Sequence, residues 1–250
     1  MAHSSRHKPR RPRPHTPPRP RGPWANGPIP VVGLVGGIGS GKSLAATALA
    51  GSGLQVLDAD SIGHALLAQR PARDLVVGRF GTGVLRPTAP DAPAESEPEV
   101  DRSALGRIVF ADPAARRDLE AILHPPMRKT FERAIARAGR NGLPGVVLDA
   151  AILFEAGWNS LCDAVIFVDA PRDLRLARLE AERGWTAEIL DAREQAQAPL
   201  PEKRDRADHV VVNDAEPGAF RAAVASWWAS FVPTRSARGR PGGPRPRPSA

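Results

Sequence analysis

The 250-residue chain has one cysteine, Cys162, which excludes an internal disulfide and any cysteine-rich metal site. No apolar run approaches the roughly 18 residues of a membrane span. The N-terminus is basic but lacks the apolar core of a secretory signal. We therefore expect a soluble cytoplasmic protein with no membrane partner. Acid is missing from both ends: residues 1–30 hold seven Lys/Arg, residues 233–250 hold five Arg, and neither stretch contains Asp or Glu. The remaining 23 basic residues face 27 acids, so the middle of the chain is about −4 although the whole is +8. Aromatics are also scarce in the tails, where Trp24 stands alone, and the same stretches carry 14 of the 27 prolines. Such segments cannot repay ordering entropy by burial, so residues 1–29 and 233–250 are expected to be disordered. They could contact nucleic acid by neutralising phosphates. Without interleaved aromatics to stack bases, a solvated extension is the favoured reading.

Against these absences stands one complete pattern. Residues 36–43 read G-G-I-G-S-G-K-S, matching G-x-x-x-x-G-K-[ST], and follow the apolar run 31–35. Glycines there let successive N–H groups point at phosphate oxygens, and the helix opening near Lys42 adds its positive end. Lys42 would carry charge to the β/γ-phosphates, and Ser43 would offer Mg²⁺ a hard oxygen ligand. The competing reading is a glycine-rich turn between a strand and a helix.

Strand-like runs recur at 31–35, 54–57, 146–148, 164–168 and 209–212 with helical stretches between most of them, which predicts a parallel sheet covered on both faces. Such sheets bind ligands at the C-terminal ends of their strands. Asp58, Asp60, Asp149, Asp169 and Asn213 all fall at those ends. Roughly 85 residues separate the second and third runs, too many for a simple connection, so a helical subdomain is expected at about 62–142. Within it, Asp112-Pro113 reads as a cap and first turn leading to an apolar face of Leu119, Ile122 and Leu123. Residues 86–100 read as a flexible loop. Two further helices, 172–183 and 187–197, joined by Gly184-Trp185-Thr186, would form a lid over about 172–198.

Phosphoryl transfer asks a protein for alignment, charge neutralisation and a proton acceptor. Asp58 and Asp60, in L-D-A-D, each read as a base or orienting carboxylate, or as a helix cap. Asp149, ending V-V-L-D, fits a water-mediated metal contact or a cap. Lid arginines could stabilise transition-state charge. A solvated helix face is the stronger reading for Arg172 and Arg175 than for Arg178 and Arg183. His124, in I-L-H-P-P, is a substrate contact or a helix-terminal cap. Glu155, in I-L-F-E, could pair with an arginine or a substrate hydroxyl.

The ordered set G-L-V-G-G-I-G-S-G-K-S, V-L-D-A-D-S-I, D-R-S-A-L-G-R-I-V-F-A-D-P, L-H-P, L-D-A-A-I-L-F-E-A-G and Q-A-P-L-P-E-K-R-D-R-A-D-H-V-V-V-N, spread from about residue 31 to 231, resembles the dephospho-CoA kinase family. The resemblance implies an α/β P-loop kinase fold over about 30–232, with a five-stranded parallel sheet, a helical CoA-binding insertion and a helical lid. The implied reaction is ATP-dependent phosphorylation of the ribose 3'-hydroxyl of dephospho-CoA, with Mg²⁺, giving coenzyme A. In this frame Asp60 and Lys42 are catalytic. Gly37, Ile38, Gly39, Ser40, Gly41, Lys42, Ser43 and Leu44 cradle ATP. Arg102, His124 and Glu155 join Asp60 in binding the acceptor, Arg178 and Arg183 belong to the lid, and Ser43 and, through water, Asp149 hold the metal. Gln197, Lys203, Asp208 and Asn213 are expected on the adenine side or in packing. Four positions depart from the family pattern: Leu44 replaces Thr, His64 replaces Arg, Ala151 replaces Pro and Ala215 replaces Gly. Another P-loop nucleotide or small-metabolite kinase, a P-loop nucleic-acid-binding protein, and an inactive scaffold are the competing functions.

Overall fold

The computed structural model describes residues 24–86 and 98–238. The central strand β1 (Val31–Gly36) is buried along its whole length, and β2 (Gln55–Asp58), β3 (Val146–Asp149), β4 (Ala164–Asp169) and β5 (His209–Val212) join it in the order β2-β3-β1-β4-β5. All four pairings are parallel. A parallel sheet needs crossovers, which cover both faces and demand apolar residues on both sides of its inner strands. The β1 side chains satisfy this by alternation. Val31 and Val35 pack on one face with Leu123, Met127, Phe131 and Ile135, whereas Val32 and Leu34 pack on the other with Leu49, Val224 and Trp228.

The first face is covered by the insertion: α2 (Ala59–Leu67), α3 (Arg70–Phe80), α4 (Arg102–Ala111) and α5 (Pro113–Arg140). The second is covered by α1 (Lys42–Gly51) and α9 (Pro217–Arg238). Asp112 caps α5 by accepting from the Ala114 N–H at 2.7 Å, with Pro113 in the first turn. The helix then continues for 28 residues straight through Pro125 and Pro126. Those prolines deprive two carbonyls of their partners, and apolar residues buried on both sides, Leu123, Met127 and Phe131, hold the helix across the gap.

Three boundaries differ from expectation. Residues 24–29 are packed rather than disordered. Trp24 is buried against Phe231 with ring centres 5.6 Å apart, and Asp163 accepts from the Ala25 and Val31 N–H groups at 2.6 and 2.8 Å. At the other end α9 runs to Arg238, inside the stretch 233–250 expected to be disordered. The loop 86–100 is pinned at its base: the Arg86 N–H donates to the Glu99 carbonyl (2.9 Å), and Leu85 bridges Val100. The expectations for residues 1–23, 87–97 and 239–250 lie outside the described residues. Among the described residues no helix is long and apolar enough to cross a membrane.

The stretch expected to form a lid contains α6 (Arg172–Arg183) and α7 (Ala187–Glu194), followed by α8 (Leu200–Arg206). α7 stops three residues short of the expected Gln197. The side chain of Gln197 accepts from Lys203 Nζ at 2.9 Å, which holds that residue in the connection to α8.

Candidate active site

β1 ends at Gly36 and the chain turns through residues 37–41 into α1. Gly39 (φ 76°) and Gly41 (φ 96°) lie in the left-handed region, which a Cβ makes costly. At Gly41 a Cβ would also meet Asn213 Nδ2 at 2.2 Å. Asn213, buried just beyond β5, donates through that nitrogen to the Ser40 carbonyl at 2.7 Å, while its own N–H donates to the Asp169 carbonyl at 2.6 Å. The far edge of the sheet thereby braces the loop. Lys42 Nζ donates to the Gly36 and Gly37 carbonyls, both at 3.0 Å. Ser40 is buried, and its Oγ has no partner among the described residues. Ser43 is exposed, one residue into α1.

Asp58 and Asp149 end adjacent strands in register. Asp58 caps α2, accepting from the Ser61 N–H at 2.6 Å. The cap reading therefore belongs to Asp58, and Asp60 falls in the first turn of α2 with its side chain exposed. Burial lifts the Asp149 carboxyl to about 6 against the attraction of Lys42, with repulsion from Asp58 and Asp60 adding to the rise. Burial likewise lowers Lys42 to about 8, opposed by the attraction of Asp149 and Asp60 and reinforced by Lys203 and Arg175. One ammonium and three carboxylates thus share the C-terminal end of the sheet beside the glycine loop.

The arginines of α6 sort differently from the expectation. Arg175 is 4% exposed rather than solvated. Its Nε donates to the Ala170 carbonyl (3.2 Å) and its Nη1 donates to the Ile38 carbonyl (3.2 Å) and to Glu194. Arg178 also reaches the loop, with Nη1 3.4 Å from the Gly39 carbonyl and Nη2 3.4 Å from Asn213 Oδ1. Arg183 does not. Its guanidinium lies over Trp185, 5.3 Å from the ring centre, and Arg193 approaches the same ring at 4.4 Å, a cation–π arrangement that keeps both charges solvated. Arg172 pairs with Asp191 at 2.6 Å near the surface.

His124 is not a helix-terminal cap, because α5 continues past it. Its half-buried ring stands edge-on to Trp158 with centres 5.0 Å apart, and burial lowers its pKa against the opposing field of Glu120. Arg102 is an exposed first residue of α4, directly after the cap Asp101. Glu155 pairs with a lysine rather than an arginine: its Oε1 accepts from Lys203 Nζ (2.8 Å) and from the Ala198 N–H (2.9 Å). Lys203 is fully buried and donates as well to the Ala151 carbonyl at 2.7 Å. Asp208 accepts from the Val165 N–H at 2.9 Å, tying β4 to the chain entering β5. Gln197, Lys203, Asp208 and Asn213 thus each brace neighbouring parts of the chain. Sequence reasoning missed Arg175 and the burial of Lys203. The three-residue spacing of Arg175 and Arg178, which puts both on one helix face, was the available signal for the first.

The four departures have simple surroundings. His64 is exposed in the last turn of α2, and Leu44 packs beneath the loop against the α1 face of the core. The Ala151 carbonyl is taken by Lys203. No non-glycine residue among those described has a positive φ, so the turn through Ala215 needs no glycine.

Comparison with known proteins gives the same picture. The family model for dephospho-CoA kinase matches residues 30–218. The dephospho-CoA kinase of Synechococcus sp. (strain CC9605) is 44% identical over 191 residues, covering 76% of this chain and 87% of that protein. That of Symbiobacterium thermophilum is 42% identical over 199 residues, covering 79% and 80%. The crystal structure of TT1252 from Thermus thermophilus superposes with a TM-score of 0.66 at 31% identity, covering 82% of this chain and 97% of that one. With the phosphate loop, the strand-end carboxylates and the helical insertion arranged on a five-stranded parallel sheet, the chain belongs to the dephospho-CoA kinase family.

Proposed function

We infer that the chain transfers the γ-phosphoryl group of ATP to the ribose 3'-hydroxyl of dephospho-CoA, yielding coenzyme A and ADP, and that it does so in the cytoplasm. The observation that carries the residue assignment is the convergence of Lys42, Asp149, Asp58 and Asp60 beside the glycine loop. The amides of residues 37–43 and the N-terminal end of α1 receive the phosphates, and Lys42 swings from the Gly36 and Gly37 carbonyls to neutralise their charge. Asp60, free of capping duty, accepts the proton as the acceptor oxygen bonds to phosphorus and the bond to the β-phosphate oxygen breaks.

The donor set fits Mg²⁺. An exposed Ser43 hydroxyl and one strand-end carboxylate are the hard oxygens this cation takes alongside phosphate and water, and repulsion among Asp149, Asp58 and Asp60 favours a nearby cation. Ser43, and Asp149 through water, would hold it. When bound, it would supply charge neutralisation for the transferring phosphoryl group. For the acceptor, His124 offers an imidazole kept neutral near pH 7 by burial, and Arg102 brings a cation from α4. Glu155 shapes the pocket by fixing Lys203 and Ala198. Of the two expected lid arginines, Arg178 reaches the glycine loop, whereas Arg183 lies at the distal end of the same helix.

ADP release measured with dephospho-CoA, adenosine and a panel of nucleoside monophosphates tests the reaction. We expect turnover with dephospho-CoA to exceed all others, and preference for another acceptor would overturn the assignment. The pH dependence gives a separate check. The rate at low ATP, which reports the free enzyme, should rise as Asp149 ionises near about 6 and fall as Lys42 loses its proton near about 8. At saturating ATP the alkaline limb should move upward, because adjacent phosphates hold the Lys42 proton. An alkaline limb that stays in place would remove Lys42 from the phosphates.

A further inference from the structure

The loop that receives the phosphates is held from outside. Three consecutive carbonyls, those of Ile38, Gly39 and Ser40, each accept from a side chain beyond the loop: Arg175 at 3.2 Å, Arg178 at 3.4 Å and Asn213 at 2.7 Å. A trans peptide places its C=O and the following N–H on opposite sides. Fixing the Ile38 and Ser40 carbonyls outward therefore aims the Gly39 and Gly41 N–H groups inward. Arg175 is the most committed of the three. It is 4% exposed, spans the Ala170 carbonyl at the end of β4 and the Ile38 carbonyl, and also binds Glu194 in the last turn of α7. Its guanidinium lies so close against the loop that a Cβ on Gly37 would meet Nη1 at 2.7 Å.

We propose that Arg175 is a positioning residue for phosphoryl transfer: it sets the Ile38–Gly39 peptide in the phosphate-accepting orientation and links that setting to α7 through Glu194. It does not touch ATP. Arg178, held by longer contacts, is the arginine free to reach the phosphates, while Arg175 stays on the backbone. Arg172 and Asp191 form a second rung one turn away on the same two helices, so α7 cannot shift against α6 without pulling on the Glu194 contact. The number of acceptors matters here. A guanidinium can serve three acceptors in different directions, whereas a lysine ammonium at the same position lacks the planar fork.

The inference rests on the reading that the loop binds ATP phosphates, and the experiment separates the two. Inorganic triphosphate binding and steady-state kinetics are measured on the full chain for the wild type, Arg175→Lys, Arg175→Ala and Glu194→Gln, with thermal melts alongside. If the wild type binds neither ATP nor triphosphate, the phosphate-site reading itself fails. If it binds both, Arg175→Ala should weaken triphosphate and raise the KM for ATP by about tenfold, the scale of a lost charge-assisted hydrogen bond. The KM for dephospho-CoA should stay within twofold. Arg175→Lys should recover less than half of the loss on a logarithmic scale. Glu194→Gln, which leaves the loop contact in place and keeps the fold if Arg175→Ala does not, should raise the KM for ATP by about threefold. Folded variants with wild-type affinity for triphosphate and a wild-type KM for ATP would overturn the proposal. So would a fall in thermal stability unaccompanied by a change in either constant.

Discussion

Asp60→Asn lowers turnover by about 10³-fold, within the range for loss of a positioned general base, while ATP binding stays within about twofold. The expectation follows from how the L-D-A-D segment divides its labour. Asp58 spends its carboxylate on the Ser61 N–H and closes the N-terminus of α2. Asp60, two residues later, is exposed in that helix's first turn, inside the field of Lys42 and Asp149. Asparagine keeps the shape but removes both the carboxylate charge and the capacity to take a proton. Rapid-quench single turnovers would show a normal ATP-binding phase followed by a slow chemical step. Unchanged turnover would remove the base assignment and leave Asp60 as a source of helix-terminal charge.

Asp149→Asn has two effects of opposite sign. Turnover drops by about 10²-fold, because the proposed water-mediated metal contact would lose its charge. The protein without nucleotide becomes more stable near neutral pH. Burial raises this carboxyl from 3.8 in the unfolded chain to about 6 in the fold. Between those pH values the folded state therefore binds more protons than the unfolded state, and stability falls as pH rises through the window. Above about pH 6 the full cost of the buried charge remains. The value of about 6 is already net of the attraction of Lys42, and the cost of burying the asparagine amide offsets part of the benefit. The net gain should be about 1–2 kcal/mol at pH 7.5, or about 2–8 °C in Tm for a chain of this size. Below about pH 3.8, where the wild-type carboxyl is protonated in both the folded and the unfolded chain, the difference should largely vanish. A lower Tm for the variant at pH 7.5 would mean that Asp149 is a net stabilising partner of Lys42.

Much of this architecture was legible from residue order because it depends on local rules. The five apolar runs became the five strands, since inner strands of a parallel sheet must be apolar on both faces. Asp112-Pro113 opened α5 as its cap and first-turn chemistry require. Helix α6 occupied the predicted residues 172–183. Local rules failed where a distant partner decided the outcome. Trp24 lies in a proline-rich basic segment that reads as disordered, yet Phe231 and Asp163 supply the burial and the hydrogen bonds that hold residues 24–31. The two prolines after His124 read as a helix end, yet tertiary packing of Met127 and Phe131 carries α5 through them.

By itself the sequence determined the phosphate loop, the parallel sheet behind it and the acidic residues at the strand ends, because spacing and periodicity encode each of them. Tertiary structure decided which residue does what. Only adjacency in space assigns the cap to Asp58 and frees Asp60, raises the Asp149 carboxyl by burial, and turns Arg175 from a surface charge into a clasp on Ile38. The physical reason is that propensity and pattern act within a few residues. Desolvation, charge coupling and hydrogen-bond partnership act between segments 35 to more than 170 residues apart, as from Arg178 to Asn213 and from Ser40 to Asn213.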